Sequence, residues 1–160
     1  VNVIKIKDGK LKGFNTDLIG FLKSLFPFIE SHHEQALLLG TGGASKAVYH
    51  GLQSMDIATT MVSRNPQDNE ISYDDIGHEV MQNHQLIINC TPLGMHPKIE
   101  AYPKIPYQEL TGNHLLYDLI YNPTVTQFLA LGDKQGAKIL NGRKMLEIQA
   151  LESWKIWQQE

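Results

Sequence analysis

The sequence predicts an α/β protein built on a doubly wound parallel sheet. Short apolar runs alternate with stretches of helical period along most of the chain, an order that lays parallel strands under helices on both faces. One of these runs, at residues 36–39, leads directly into a glycine-rich turn, Gly40-Thr41-Gly42-Gly43-Ala44-Ser45, which opens a helical stretch. The 160 residues, 42% hydrophobic and 19% charged, suit one globular domain with a core of its own.

The elements follow in order. Residues 1–6 alternate apolar and polar, Asp8-Gly9 supplies a type I′ turn, and residues 11–14 return as a second strand of a hairpin. From Thr16 the period becomes helical, with Leu18, Phe21, Leu22 and Leu25 on one face and Asn15 or Thr16 as N-cap. Pro27 ends that helix, and residues 30–35 form a polar connector. Strands are then expected at 36–39, 58–62, 86–89, 115–119 and 138–140. Helices are expected at 44–53, around 73–81, at 124–135 and at 144–157. Residues 92–112, rich in proline, read as loop. The last helix carries Met145, Leu146, Ile148, Leu151, Trp154 and Trp157 over more than one face, so it is expected to pack against more than the sheet.

Composition excludes several classes of function. A formal net charge of −3 gives no reason to expect nucleic acid or an anionic membrane as partner. The single cysteine, Cys90, permits no internal disulfide and suits a reducing cytoplasm. No apolar stretch approaches bilayer-spanning length, the first residues lack a signal-peptide pattern, and the start at Val rather than Met is what a fragment or a processed chain is expected to show. The seven histidines match no zinc-ligand spacing, so no metal is expected.

Two features point to a dinucleotide. Strand, glycine turn and helix in that order form a Rossmann-like pyrophosphate cradle: Gly40, Thr41, Gly42, Gly43 and Ala44 bring backbone and a helix N-terminus to the phosphates. The third glycine of the usual pattern is replaced by Ser45, and a plain structural loop is the competing reading. At the end of the following strand stand Ser63, Arg64 and Asn65, where NAD-binding domains carry an acid for the ribose hydroxyl. A guanidinium with two small polar neighbours suits a 2′-phosphate, which makes NADP the expected cofactor. A solvated surface Arg is the alternative.

Four further segments complete a pattern that resembles shikimate dehydrogenase. They are Gly13-Phe14-Asn15-Thr16-Asp17; Asn89-Cys90-Thr91-Pro92-Leu93-Gly94-Met95; Asp118-Leu119-Ile120-Tyr121-Asn122-Pro123; and Asn141-Gly142-Arg143-Lys144-Met145-Leu146 with Gln149-Ala150. The resemblance runs from Val1-Asn2 to Trp157 and corresponds to the C-terminal part of that family. It implies a division into residues 1–25 (hairpin and linker helix of a substrate domain), 26–143 (NADP-binding domain) and 144–160 (helix returning to the substrate domain). The preceding substrate segment, with its serines and catalytic Lys, is implied to be missing.

The implied reaction is the reversible, NADP-dependent reduction of 3-dehydroshikimate to shikimate, in aromatic amino-acid biosynthesis. Asp17 is implied as the catalytic carboxylate; Asn2, Asp17, Tyr121 and Gln149 as substrate-binding; Leu119 and Gly142 as flanking the nicotinamide; Thr91 and Met95 as walls of its ribose. A helix N-terminal acid is the alternative for Asp17. The isolated chain is expected to bind NADP(H) without turnover, as a monomer or homodimer. A quinate/shikimate dehydrogenase of broader substrate and cofactor use, and a purely nucleotide-binding module, stand as alternatives.

Overall fold

A computed structural model describes residues 1–159. The chain opens with a hairpin, β1 (Val3–Lys7) and β2 (Lys10–Phe14), whose turn residues Asp8 and Gly9 both take positive φ, 49° and 73°. That is the type I′ geometry the Asp-Gly pair favours. Helix α1 (Asp17–Leu25) follows, with the Asn15 Oδ1 accepting from the Asp17 N–H, and a 3₁₀ turn at Phe26–Phe28 ends it around Pro27.

The remaining strands are β3 (Gln35–Leu39), β4 (Ala58–Val62), β5 (Glu70–Ile71), β6 (Leu86–Asn89), β7 (Leu115–Asp118) and β8 (Lys138–Leu140). They form one sheet in the order β5-β4-β3-β6-β7-β8, and every pairing is parallel. The helices between and after them are α2 (Gly43–Ser54), α3 (His78–Asn83), α4 (Gln127–Lys134) and α5 (Arg143–Gln158). Chain order runs outward from β3 through β4 to β5, then returns to β6 on the other side of β3. The sheet therefore reverses direction between β3 and β6, and the carboxyl ends of those two strands splay around a crevice.

Burial follows the two-residue period of a strand. Leu37, Leu39, Ile87 and Leu116 face one core with Met81, Phe128 and Leu129. Ala36, Leu38, Leu86, Ile88, Leu115 and Tyr117 face the other with Phe21, Leu25, Val48 and Leu52. Central strands buried on both sides read as continuous apolar runs, which is why they stood out in the sequence. Helix α1 is part of this second face: Phe21 stacks on Tyr117 at 5.7 Å, and Ser24 Oγ lies 2.6 Å from the Tyr117 hydroxyl.

Four details depart from expectation. The helix expected around 73–81 is a 3₁₀ turn at Tyr73–Asp75, closed by a Ser72/Asp75 capping box, followed by the short α3; extended backbone at Gly77 separates them. Helix α4 begins at Gln127 rather than 124, because extended Thr126 caps it and accepts from the Leu129 N–H. Strand β5, two residues long, was too short to carry a periodic signal. The fifth sheet strand ends at Asp118, so Leu119 lies just beyond it.

Candidate functional site

The β3–β6 crevice holds a cavity of about 540 Å³, of the size that small-molecule sites occupy. Gly40, Thr41 and Gly42 line one side, Ser63, Arg64 and Asn65 the end beyond β4, and Tyr73 with residues 90–93 the remainder. Gly40 takes φ +96° and sits so close to β6 that a Cβ there would lie 2.9 Å from Thr91 Cγ2. A Cβ at Gly42 or Gly43 would meet nothing within 4 Å. Gly42 is the extended N-cap of α2, so the first N–H groups of that helix open toward the cavity side. Buried Ser45, standing where a third glycine is usual, turns its hydroxyl back to donate to the Gly42 carbonyl at 2.5 Å and braces the turn.

These residues fit a dinucleotide. Open backbone at a helix N-terminus suits a pyrophosphate. Beyond β4 the lining contains one cation, Arg64, and no carboxylate, and among the described residues no acid pairs with that guanidinium. The Asn65 N–H bonds Ser63 Oγ at 3.2 Å, which folds the segment into a tight polar turn. Burial raises the Tyr73 hydroxyl above its ordinary range, partly offset by the nearby Arg64 charge.

Leu119 and Gly142 are brought together, but outside this cavity. The Gly142 N–H donates to the Ile120 carbonyl at 3.1 Å, and a Cβ on Gly142 would overlap the Leu119 carbonyl. The glycine is required by the approach of two backbone segments. Thr91 lines the cavity, whereas Met95 is half exposed and does not.

A second cluster joins three residues distant in sequence. Asn2 Nδ2 donates to Asp17 Oδ1 at 2.8 Å and to Thr16 Oγ1 at 2.9 Å, and lies 3.5 Å from Gln149 Oε1. Asn2 Oδ1 accepts from the Thr16 N–H. Thr16 is fully buried and its hydroxyl lies 2.9 Å from Ser153 Oγ, which in turn donates to the Gln149 carbonyl. Helices α1 and α5 can approach this closely because Gly20 faces Met145 and Gln149, where a Cβ would come within 2.8 Å of the Met145 carbonyl oxygen. Thr16 stood out in the sequence only as a motif residue and a candidate N-cap, a capping hydrogen bond its side chain does not make, and Ser153 did not stand out at all. The hydroxyls of an N-cap and of one serine in α5 give no sequence signal of their meeting without the partner helix. Tyr121 is half exposed and makes no recorded hydrogen bond to this cluster.

A third group, also missed, lies beneath the crevice. Asn89 and Asp118 are register partners at the ends of β6 and β7, both fully buried. Burial pushes the Asp118 carboxyl up to about 6, against the hydrogen bonds from Thr126, Ile120 and Asn89 that favour its ionised form. Burial and the Asp118 charge raise the Cys90 thiol well above its ordinary value, so it is not a ready nucleophile.

Sheet order, glycine turn and crevice together define an α/β domain of Rossmann-like class, with its opening where such domains hold dinucleotides. No protein-family model matches the chain. Known proteins do. The shikimate dehydrogenase (NADP(+)) of Methanosphaera stadtmanae is 33% identical over 98% of this chain and 62% of its own length. A chorismate mutase/shikimate 5-dehydrogenase fusion protein from Clostridium acetobutylicum is 37% identical, with a TM-score of 0.83 over 97% of this chain and 59% of that one. Shikimate 5-dehydrogenase from Thermus thermophilus, in complex with NADP(H) and shikimate, is 28% identical, with a TM-score of 0.82 over 97% of this chain and 60% of that one. The chain is a homologue of the NADP-dependent shikimate dehydrogenases over nearly its whole length. It spans about six tenths of the length of the curated relatives it matches.

Proposed function

We propose that these residues form the NADP(H)-binding part of a shikimate dehydrogenase, which reduces 3-dehydroshikimate reversibly to shikimate. The cofactor supplies the hydride chemistry when bound. The chain's own residues bind and orient. In this reading Gly40, Thr41, Gly42, Gly43 and Ala44 hold the pyrophosphate, Ser63, Arg64 and Asn65 the 2′-phosphate, and the Leu119–Gly142 contact fixes the backbone beside the nicotinamide. The observation that carries the reading is the cavity lining: a glycine turn at the sheet's reversal point, with an Arg that no acid pairs among the described residues and no acid in the lining at its far end.

Asn2, Asp17 and Gln149 take the substrate hydroxyls, with Asp17 the carboxylate at the proton-transfer step and Tyr121 approaching the substrate carboxylate. The convergence of the first three across 147 residues of chain supports this. In the domain reading, residues 26–143 form the cofactor domain, while 1–25 and 144–160 belong with the substrate side. Among the described residues no lysine, arginine or histidine pairs with Asp17. An acid–base partner contributes roughly 10²- to 10⁴-fold in rate. The 160 residues should therefore bind NADPH in a fluorescence titration yet show no shikimate-dependent NADP⁺ reduction. Rapid turnover by the purified chain would overturn the assignment of that partner to residues outside it; absence of NADPH binding would overturn the cofactor reading itself.

A further inference from the structure

The crevice wall formed by residues 91–93 owes its position to a buried chain of hydrogen bonds that begins at α4. Thr126, the N-cap of α4, donates its hydroxyl to Asp118 Oδ2 at 2.6 Å. Asp118 Oδ1 accepts from the Ile120 N–H at 3.0 Å and from Asn89 Nδ2 at 3.1 Å. Asn89 Oδ1 then accepts twice from one residue, from the Thr91 N–H at 3.0 Å and the Thr91 hydroxyl at 2.7 Å. Thr91 Oγ1 in turn accepts from the Leu93 N–H at 3.2 Å. At its far end Thr91 packs against Gly40, the first residue of the glycine turn.

The chemistry of the amide gives this chain a direction. A carboxylate can only accept, so Asn89 must present its NH₂ to Asp118 and its oxygen to Thr91. Turned over, the amide would set oxygen against carboxylate oxygen and NH₂ against the Thr91 N–H. We propose that Asp118 is a positioning residue for the cofactor crevice, acting through Asn89 to hold Thr91 against the Gly40 turn. A buried carboxyl is costly, and the fold could cap α4 with Thr126 alone. Its placement one strand from the cavity, with a single amide between, is what a cofactor-positioning role requires. Asp118 itself is not among the residues that line the cavity.

The inference rests on the cofactor reading above, and the test separates the two. NADPH dissociation constants are measured for the wild-type chain, Asp118→Ala, Asp118→Asn, Thr91→Val and the Asp118→Ala/Thr91→Val double variant, with amide exchange followed at Thr91 and Leu93. Asp118→Ala should weaken NADPH about ten-fold and Thr91→Val several-fold, the scale of one lost hydrogen bond. The double variant should be no weaker than Asp118→Ala, because both break one path. Exchange at Thr91 and Leu93 should quicken in Asp118→Ala while the β3 and β6 ladder amides stay protected. Asp118→Asn keeps an acceptor for Asn89 and should bind within about three-fold of wild type.

Multiplying effects in the double variant, or a folded Asp118→Asn ten-fold weaker than wild type, would overturn the positioning role. If Asp118→Ala does not fold, Thr91→Val, at a half-buried site, still decides: unchanged NADPH affinity contradicts the proposal. Failure of the wild-type chain to bind NADPH would instead remove the cofactor reading, and this inference with it.

Discussion

Gly42 and Gly142 are required for opposite reasons. At Gly42 a side chain would enter open space on the cavity side, so Gly42→Val should leave the fold standing and obstruct the phosphates. At Gly142 a Cβ would meet the Leu119 carbonyl, so Gly142→Val must displace backbone, with a cost on the order of 1–3 kcal/mol. Thermal denaturation and NADPH titration of both variants check this: a near-native melting temperature with binding lost for the first, a lowered melting temperature for the second. Near-native NADPH affinity in Gly42→Val would place the ligand elsewhere. The need for a glycine at both positions was legible in the sequence. That a side chain at Gly142 would meet the Leu119 carbonyl was not, because the contact joins segments 23 residues apart whose approach no local pattern reveals.

At the scale of elements, what the sequence showed and what it hid follow from how each element is stabilised. Strands β4, β6 and β8 match their expected bounds, and in β6 the signal is an apolar run, Leu86 to Ile88, buried on both faces. The 73–81 region misled because a capping box and an extended Gly77 divide an otherwise helical pattern. The polar connector before β3 read as featureless, yet it holds a buried histidine. His33 Nδ1 accepts from the Glu30 N–H at 3.0 Å and Nε2 lies 3.2 Å from the Asn113 carbonyl, so the ring is held neutral. Burial, with the neighbouring His32 adding to it, holds its pKa below the ordinary 6.5. A folded pKa below the unfolded one means that protonation favours unfolding. This contribution is complete above pH 6.5 and is lost as pH falls toward the folded value. Because the raised Asp118 carboxyl acts with the opposite sign in the same window, the test is differential. Between pH 8 and pH 5 the urea midpoint of the wild type should lose ground to that of His33→Gln, and equal slopes would contradict the assignment.

Across the whole molecule, a parallel sheet sets the cofactor crevice at the carboxyl ends of β3 and β6, while the seam between α1 and α5 assembles Asn2, Asp17 and Gln149. The first was legible because strand, glycine turn and helix are contiguous. The second was legible only through motif resemblance, since no spacing predicts a meeting between residues 2 and 149. The Asp118–Asn89–Thr91 chain lay inside recognised segments and still went unread, because its meaning lies in strand register.

We propose that this crevice selects a 2′-phosphorylated dinucleotide through Arg64. Calorimetric titration of NADPH and NADH into the wild-type chain and Arg64→Ala tests it most directly. NADPH should bind the wild type more tightly than NADH. Arg64→Ala should weaken NADPH by roughly ten- to a hundred-fold, the scale of a lost charged hydrogen bond, and leave NADH almost unchanged. Equal losses for both nucleotides, or equal affinities in the wild type, would contradict it.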